Sequence, residues 1–262
     1  MDNFLLPCMP ERAKKPRTTG IAMVMDKGLS IREAEDFISV SAELTDFVKL
    51  GFGTSLVTPN VKEKIRLYQA ANIKVYLGGT LFEAFLIRNK EDEYRRLIED
   101  LGLDTIEISD GSMKIEHARK CEAIQTFSKD YTVLSEVGAK EAGILIAPAR
   151  WIEMMESELA AGAFKVIAEA RESGTAGIYR PSGKAHTLLI NMILSKISID
   201  QILWEAPLKS QQAWFINHFG ANVNLGNIPP NEVIPLETLR LGLRGDTFFR
   251  FLPDECKKFK LE

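Results

Sequence analysis

Residues 105–138 read TIEISDGSMKIEHARKCEAIQTFSKDYTVLSEVG, and this stretch holds one complete repeat of the chain's organisation. Thr105-Ile106-Glu107-Ile108 is a short, β-branched run that stops at Ser109-Asp110-Gly111. Residues 115–128 then carry an amphipathic pattern of helical length, and residues 132–136 form a second apolar run closed by Glu136-Val137-Gly138. Two strands separated by a helix predict parallel neighbours, because only a long crossover returns the chain to the sheet in the same direction.

The pattern recurs along the whole sequence. Strands are expected at residues 20–25, 46–50, 74–77, 105–108, 132–136, 165–168, 201–204 and 223–225. Helices are expected at residues 31–42, 60–71, 91–102, 115–128, 151–161, 183–196 and 209–219. Ser30 with Glu33 forms a capping box before the first helix, and Gly102, Gly162 and Gly220 stand where helices should end. Eight strand-and-helix units in ~250 residues predict an α/β fold of the (β/α)8 barrel type, with parallel strands inside a ring of helices. An open doubly wound sheet would bring a GxGxxG turn near its start, and the chain has none. Nothing divides the chain, so residues 1–262 are read as a single barrel domain, with residues 1–17 as an N-terminal extension and residues 254–262 as a tail.

Composition narrows the function. The 262 residues are 45% hydrophobic and 26% charged, with a net charge of −3. Lysines and arginines are scattered, which argues against a nucleic-acid or anionic-membrane surface. A small anionic substrate would instead need a local basic pocket. Cys8, Cys121 and Cys256 are too dispersed for a disulfide framework or a zinc site, no stretch approaches the ~20 apolar residues of a membrane span, and a cytoplasmic location is the default. A barrel of this size is expected to form homo-oligomers.

In a parallel barrel the carboxyl ends of the strands converge on one mouth, where polar residues carry the chemistry. Glu107, Glu136, Glu169 and Glu205 each close an apolar run. One such carboxylate is usually a helix cap or a salt-bridge partner, but four converging on one mouth would repel one another unless cations lay among them. Their oxygens suit a hard ion such as magnesium, and spacing leaves open which of them bind it. Lys49, Lys140 and Arg171 are the basic counterparts, able to grip a carboxylate or a phosphate. Gly78, Gly79, Ser173 and Gly174 offer backbone amides to an anion, and Lys209, Asn224, Gly226 and Asn227 supply donors in the last loops, where barrels often hold phosphate. His117, His186 and His218 form no constellation, and Trp151, Trp204 and Trp214 read as packing residues.

At these same positions the sequence resembles the phosphosulfolactate synthase family. The matching segments are Asp46-Phe-Val-Lys-Leu-Gly-Phe-Gly-Thr-Ser55, Gly78-Gly-Thr-Leu-Phe-Glu83, Glu107-Ile-Ser-Asp-Gly111, Ser135-Glu-Val-Gly138 and Ala170-Arg-Glu-Ser-Gly174. They continue through Trp204-Glu-Ala-Pro207, Lys209-Ser-Gln-Gln212, Leu236-Glu-Thr-Leu-Arg240 and Gly242-Leu-Arg-Gly-Asp-Thr247. The resemblance implies a magnesium-dependent barrel that adds sulfite to phosphoenolpyruvate on a route toward coenzyme M. It further implies Lys140 as proton donor to an enolate-like intermediate, with Lys49 and Arg171 as anion binders. The sequence departs from the family pattern at Phe52, where tryptophan is expected, and in the apolar residues 141–150 after Lys140. Two other readings stay open at this level: a related barrel using another nucleophile, and a non-catalytic stress-associated member of the family.

Overall fold

The computed structural model describes residues 6–138 and 146–260. Eight strands form one parallel sheet: β1 (Ala22–Asp26), β2 (Phe47–Leu50), β3 (Lys74–Leu77), β4 (Thr105–Ile108), β5 (Thr132–Val137), β6 (Lys165–Ala168), β7 (Ile202–Glu205) and β8 (Leu225–Ile228). The helices are α1 (Ile31–Ser41), α2 (Val61–Ala70), α3 (Gly79–Leu86), α4 (Glu91–Leu101), α5 (His117–Phe127), α6 (Pro148–Ala160), α7 (Thr187–Leu194), α8 (Lys209–Phe219) and α9 (Val233–Arg240). The strand order β3-β2-β1-β8-β7-β6-β5-β4 wraps into a nearly closed (β/α)8 barrel. Among the described residues the ladder runs unbroken except at a seam between β3 and β4.

Alternation of side chains along each strand builds two separate cores. Outward residues such as Val24, Val48, Val75, Ile106, Val133 and Val166 pack beneath the helices. Inward residues Ile21, Met23, Phe47, Tyr76, Leu134, Ile167 and Leu203 form a smaller cluster that plugs the barrel. Two positions further along the same strands, Met25, Lys49, Gly78, Glu136, Glu169 and Glu205 all line one cavity above that plug. The pleat thus converts an apolar floor into a charged mouth within a single step.

The last strand corrects the sequence reading. Residues 223–225 were expected as strand, yet β8 spans Leu225–Ile228, because Gly226 lies inside the barrel, where a Cβ would sit 2.8 Å from Met23 Cε. Gly226 therefore makes room for the plug and is not among the residues that line the cavity. Asn224 lies at the opposite, amino-terminal end: its Oδ1 accepts from Ile21 N at 3.1 Å, and its Nδ2 donates to the carbonyls of Asp200 and Ile202. Its role is to tie β1 to β7, and it too leaves the candidate site. Helices α3 and α9 were not anticipated. Gly78 and Gly79, singled out for their backbone amides, open one of these helices: Gly78 is the extended cap of α3 and Gly79 its first helical residue. Helix α7 starts at Thr187, after the expected residue 183, because residues 179–185 close an antiparallel bridge and His186 Nδ1 caps the helix by accepting from Leu189 N.

The amino-terminal end is sealed by Arg240 of α9, which is fully buried. Its guanidinium donates to the carbonyls of Ala221 at 2.6 Å, Val223 at 2.7 Å and Ile21 at 3.1 Å. Burial, reinforced by the nearby Arg12 charge, lowers its pKa to about 9. Replacing Arg240 with methionine should strand these carbonyls and destabilise the fold by about 3 kcal/mol. Urea unfolding of the variant would measure the loss, and an unchanged midpoint would show that Arg240 does not seal the barrel.

Candidate active site

The mouth encloses a cavity of about 340 Å³ lined by the carboxyl ends of the strands. At its centre Lys49 Nζ lies 2.9 Å from Glu107 Oε2, 3.2 Å from Glu136 Oε2 and 3.5 Å from Glu205 Oε1. These four side chains come from β2, β4, β5 and β7, and all are buried. Burial alone would lower the pKa of the Lys49 ammonium, but attraction to Glu107, Glu136 and Glu205 outweighs it and holds the value well above that of an ordinary lysine. Lys49 is therefore a fixed positive charge. Burial has the opposite effect on Glu205: despite Lys49, and with repulsion from Glu136 adding to it, the pKa rises to about 7.

Local backbone geometry aims the carboxylates. Glu205 Oε2 accepts from Ala170 N at 2.9 Å, and Glu169 Oε1 accepts from the amide of Arg171, whose φ of 56° turns the chain sharply at the end of β6. Gly138, at φ 137°, leaves the space that the Glu169 stem fills, since a Cβ there would lie 2.5 Å from Glu169 Cβ. Gly79 serves the same purpose across the seam. Its amide donates to Glu107 Oε1, and a Cβ would lie 2.3 Å from Ser109 Oγ.

Oxygens from Glu136, Glu169 and Glu205 all come within 4.8 Å of one another. Asn227 Oδ1, buried in the same cavity, has no hydrogen-bond partner among the described residues. An all-oxygen donor set in a site crowded with carboxylates fits a hard divalent cation better than a soft one. The exposed Arg171 guanidinium and the amino-terminal end of α3 at Gly78-Gly79-Thr80 border the same space, where an anion would meet them.

The structure thus brings together Lys49, Glu107, Glu136, Glu169, Glu205, Arg171, Gly78, Gly79 and Asn227. It does not bring Lys209, which pairs with Asp246 at 2.9 Å on the exterior, or Ser173, whose exposed hydroxyl meets Thr175 at 2.8 Å. Gly174 packs under Gln211, whose Nε2 donates to its carbonyl at 2.7 Å, and so shapes the loop without lining the cavity. Lys140 lies outside the described residues. Sequence reasoning missed a second charged group, Lys120 with Glu158, behind β5. The signal was present: Lys120 shares one face of α5 with Ala123, Ile124 and Phe127, and Glu158 shares one face of α6 with Trp151, Met154 and Met155. A charge on an apolar helical stripe is a buried charge.

Residues 10–246 match the family model described as (2R)-phospho-3-sulfolactate synthase (ComA). The chain is similar to the phosphosulfolactate synthase of Methanothermobacter thermautotrophicus, with 43% identity across 91% of this chain and 95% of that protein. It is 42% identical to that of Bacillus subtilis, across 95% of this chain and all of the relative. Among solved structures, 3-hexulose-6-phosphate synthase from Salmonella typhimurium superposes with a TM-score of 0.55 at 14% identity, covering 86% of this chain and 100% of that one. That likeness concerns the barrel fold alone.

The raised pKa of Glu205 sets a pH dependence. In the cation-free protein the folded state binds the Glu205 proton more tightly than the unfolded chain, so this group stabilises the fold below about pH 4.5, and the contribution is lost as pH rises through about 7. Chemical unfolding of apo protein across this range should show stability declining with pH, and Glu205→Gln should flatten that slope. An identical slope in the variant would mean that another group titrates there.

Proposed function

The chain belongs to the phosphosulfolactate synthase family, lyase-type enzymes acting on a carbon–sulfur bond, and on that premise we propose that it joins sulfite to phosphoenolpyruvate with magnesium as its cofactor. The observation that carries the reading is the trio of buried carboxylates, Glu136, Glu169 and Glu205, with oxygens within 4.8 Å of one another beside an ammonium that cannot easily lose its proton.

Glu136, Glu169 and Glu205 would hold the ion, with the Asn227 carbonyl oxygen as a further donor. Magnesium bound there would supply Lewis-acid stabilisation for the negative charge that builds on the substrate carboxylate during addition. The chain's own residues account for the rest. Arg171 binds the phosphate or carboxylate as a fork of parallel donors. Lys49 holds a permanent positive charge against the developing enolate, in a buried setting where that charge acts more strongly than it would in water. The sulfur lone pair of sulfite attacks the methylene carbon, the double-bond electrons move toward the carboxylate, and one proton is then needed at the carbon bearing phosphate. Lys49 is poorly suited to donate it, because three carboxylates hold its proton. The family resemblance assigns the donor role to Lys140. The product retains the phosphate and gains one carbon–sulfur bond, so atoms and charge balance with no oxidant.

Phosphorus NMR of purified protein with magnesium, phosphoenolpyruvate and sulfite should show a new phosphate ester resonance growing as phosphoenolpyruvate falls. Unchanged phosphoenolpyruvate would end this reading. Lys140→Ala should lower kcat by about 100-fold or more while leaving magnesium binding intact. Glu169→Gln should weaken both magnesium binding and kcat, and Arg171→Ala should act mainly on KM.

A further inference from the structure

Behind the mouth, on the outward face of β4 and β5, lies a charged cluster that does not line the cavity, its Lys120–Glu158 pair fully buried and its Asp110 and His117 partly exposed. Lys120 Nζ stands 2.9 Å from Glu158 Oε1 and 3.0 Å from Asp110 Oδ1, and donates to the main-chain carbonyl of Glu136 at 2.6 Å. Glu158 completes its own set by accepting from Ser135 Oγ at 2.6 Å and meeting His117 Nε2 at 3.1 Å. Lys120 and Glu158 are both 0% exposed. Burial would neutralise each, but Glu158 and Asp110 keep the lysine an ammonium, and Lys120 keeps the glutamate ionised.

We propose that Lys120 is a positioning residue for the cation site, acting through Glu136. An ammonium has three N–H donors, and here they reach three separate elements: α6 through Glu158, the exit of β4 through Asp110, and the end of β5 through the Glu136 carbonyl. Ser135 points outward and Glu136 inward. Holding the Glu136 carbonyl through Lys120 restrains the rotation of the peptide that follows the Glu136 Cα, while Glu158 anchors the side chain of the residue before it. That rotation decides where the Glu136 carboxylate enters the cavity. A buried ion pair is a poor source of stability, since well-packed apolar residues of similar volume often serve as well, so the cluster's distinctive contribution is orientation. Groups that orient metal ligands from behind commonly change metal affinity 10- to 100-fold when removed.

The inference rests on the reading that Glu136, Glu169 and Glu205 hold a divalent ion. Magnesium titration calorimetry on the full-length apo protein, without substrate, tests it. Lys120→Met combined with Glu158→Leu removes both buried charges together and should unfold cooperatively near the wild-type midpoint, yet bind magnesium about 10-fold more weakly or worse. Lys120→Gln combined with Glu158→Gln keeps polar groups in place as a gentler second variant: the change at Glu158 is isosteric, while the shorter amide at position 120 has two N–H donors and no longer spans all three acceptors. It should weaken magnesium binding as well, by less than the about 10-fold expected of the first variant. The magnesium concentration giving half-maximal activity should rise by the same factors. If either variant folds and binds magnesium with wild-type affinity, Lys120 has no positioning role. Failure of the cation reading would appear elsewhere: Glu169→Gln, with Lys120 intact, would then leave magnesium binding unchanged.

Discussion

One ammonium among three carboxylates governs the architecture of the mouth. Lys49 draws Glu107, Glu136 and Glu205 inward from three strands, and without it the mutual repulsion of these groups in a low-dielectric barrel would drive them apart or protonate them. The apolar plug immediately below excludes water and so strengthens every charge interaction above it. The glycines at 79 and 138 serve the same crowded mouth, since a Cβ at 79 would meet the Ser109 side chain and the Glu107 carboxylate, and one at 138 the Glu169 stem and Trp151.

Charge continues outward in a second ring. Lys64 on α2 meets Asp26 at 2.7 Å, and Lys120 on α5 meets Glu158 at 2.9 Å, each bridging the outer face of the barrel to a helix stripe otherwise made of apolar residues. Asp26 also accepts from the amides of Gly28 and Leu29, fixing the loop after β1. The barrel therefore stiffens its mouth from behind with directional bonds, where dispersion alone would leave strand ends free to rotate. Sites that depend on geometry gain from such support.

The alternation of strands and helices was legible because it rests on periodicity, and β3, β4 and β6 fall where the apolar runs place them. Boundaries failed where one residue type serves two ends. Gly226, placed with the last loops, sits inside a strand because the plug needs space, and Gly78-Gly79, noted only for its amides, opens a helix. Of the residues singled out for chemistry, those closing a strand with inward parity, such as Glu107 and Glu136, reach the cavity, while Asn224 and Lys209 do not. Parity was the stronger guide, because it is set by the pleat, whereas loop proximity depends on contacts distant in sequence. Lys120 and Glu158 escaped notice because a charge inside a helical segment is ordinarily assigned to its wet side.

The seam between β3 and β4 gives Glu107 two duties. With no ladder bond there among the described residues, the Gly79 amide on the Glu107 carboxylate is a clasp across the gap, while the other oxygen of the same carboxylate faces Lys49. Electrostatic balance and mechanical closure therefore share one side chain. An anion drawn to Lys49 would therefore bear on the clasp as well, because the oxygen that balances the ammonium and the oxygen that holds the wall together belong to one rigid carboxylate plane.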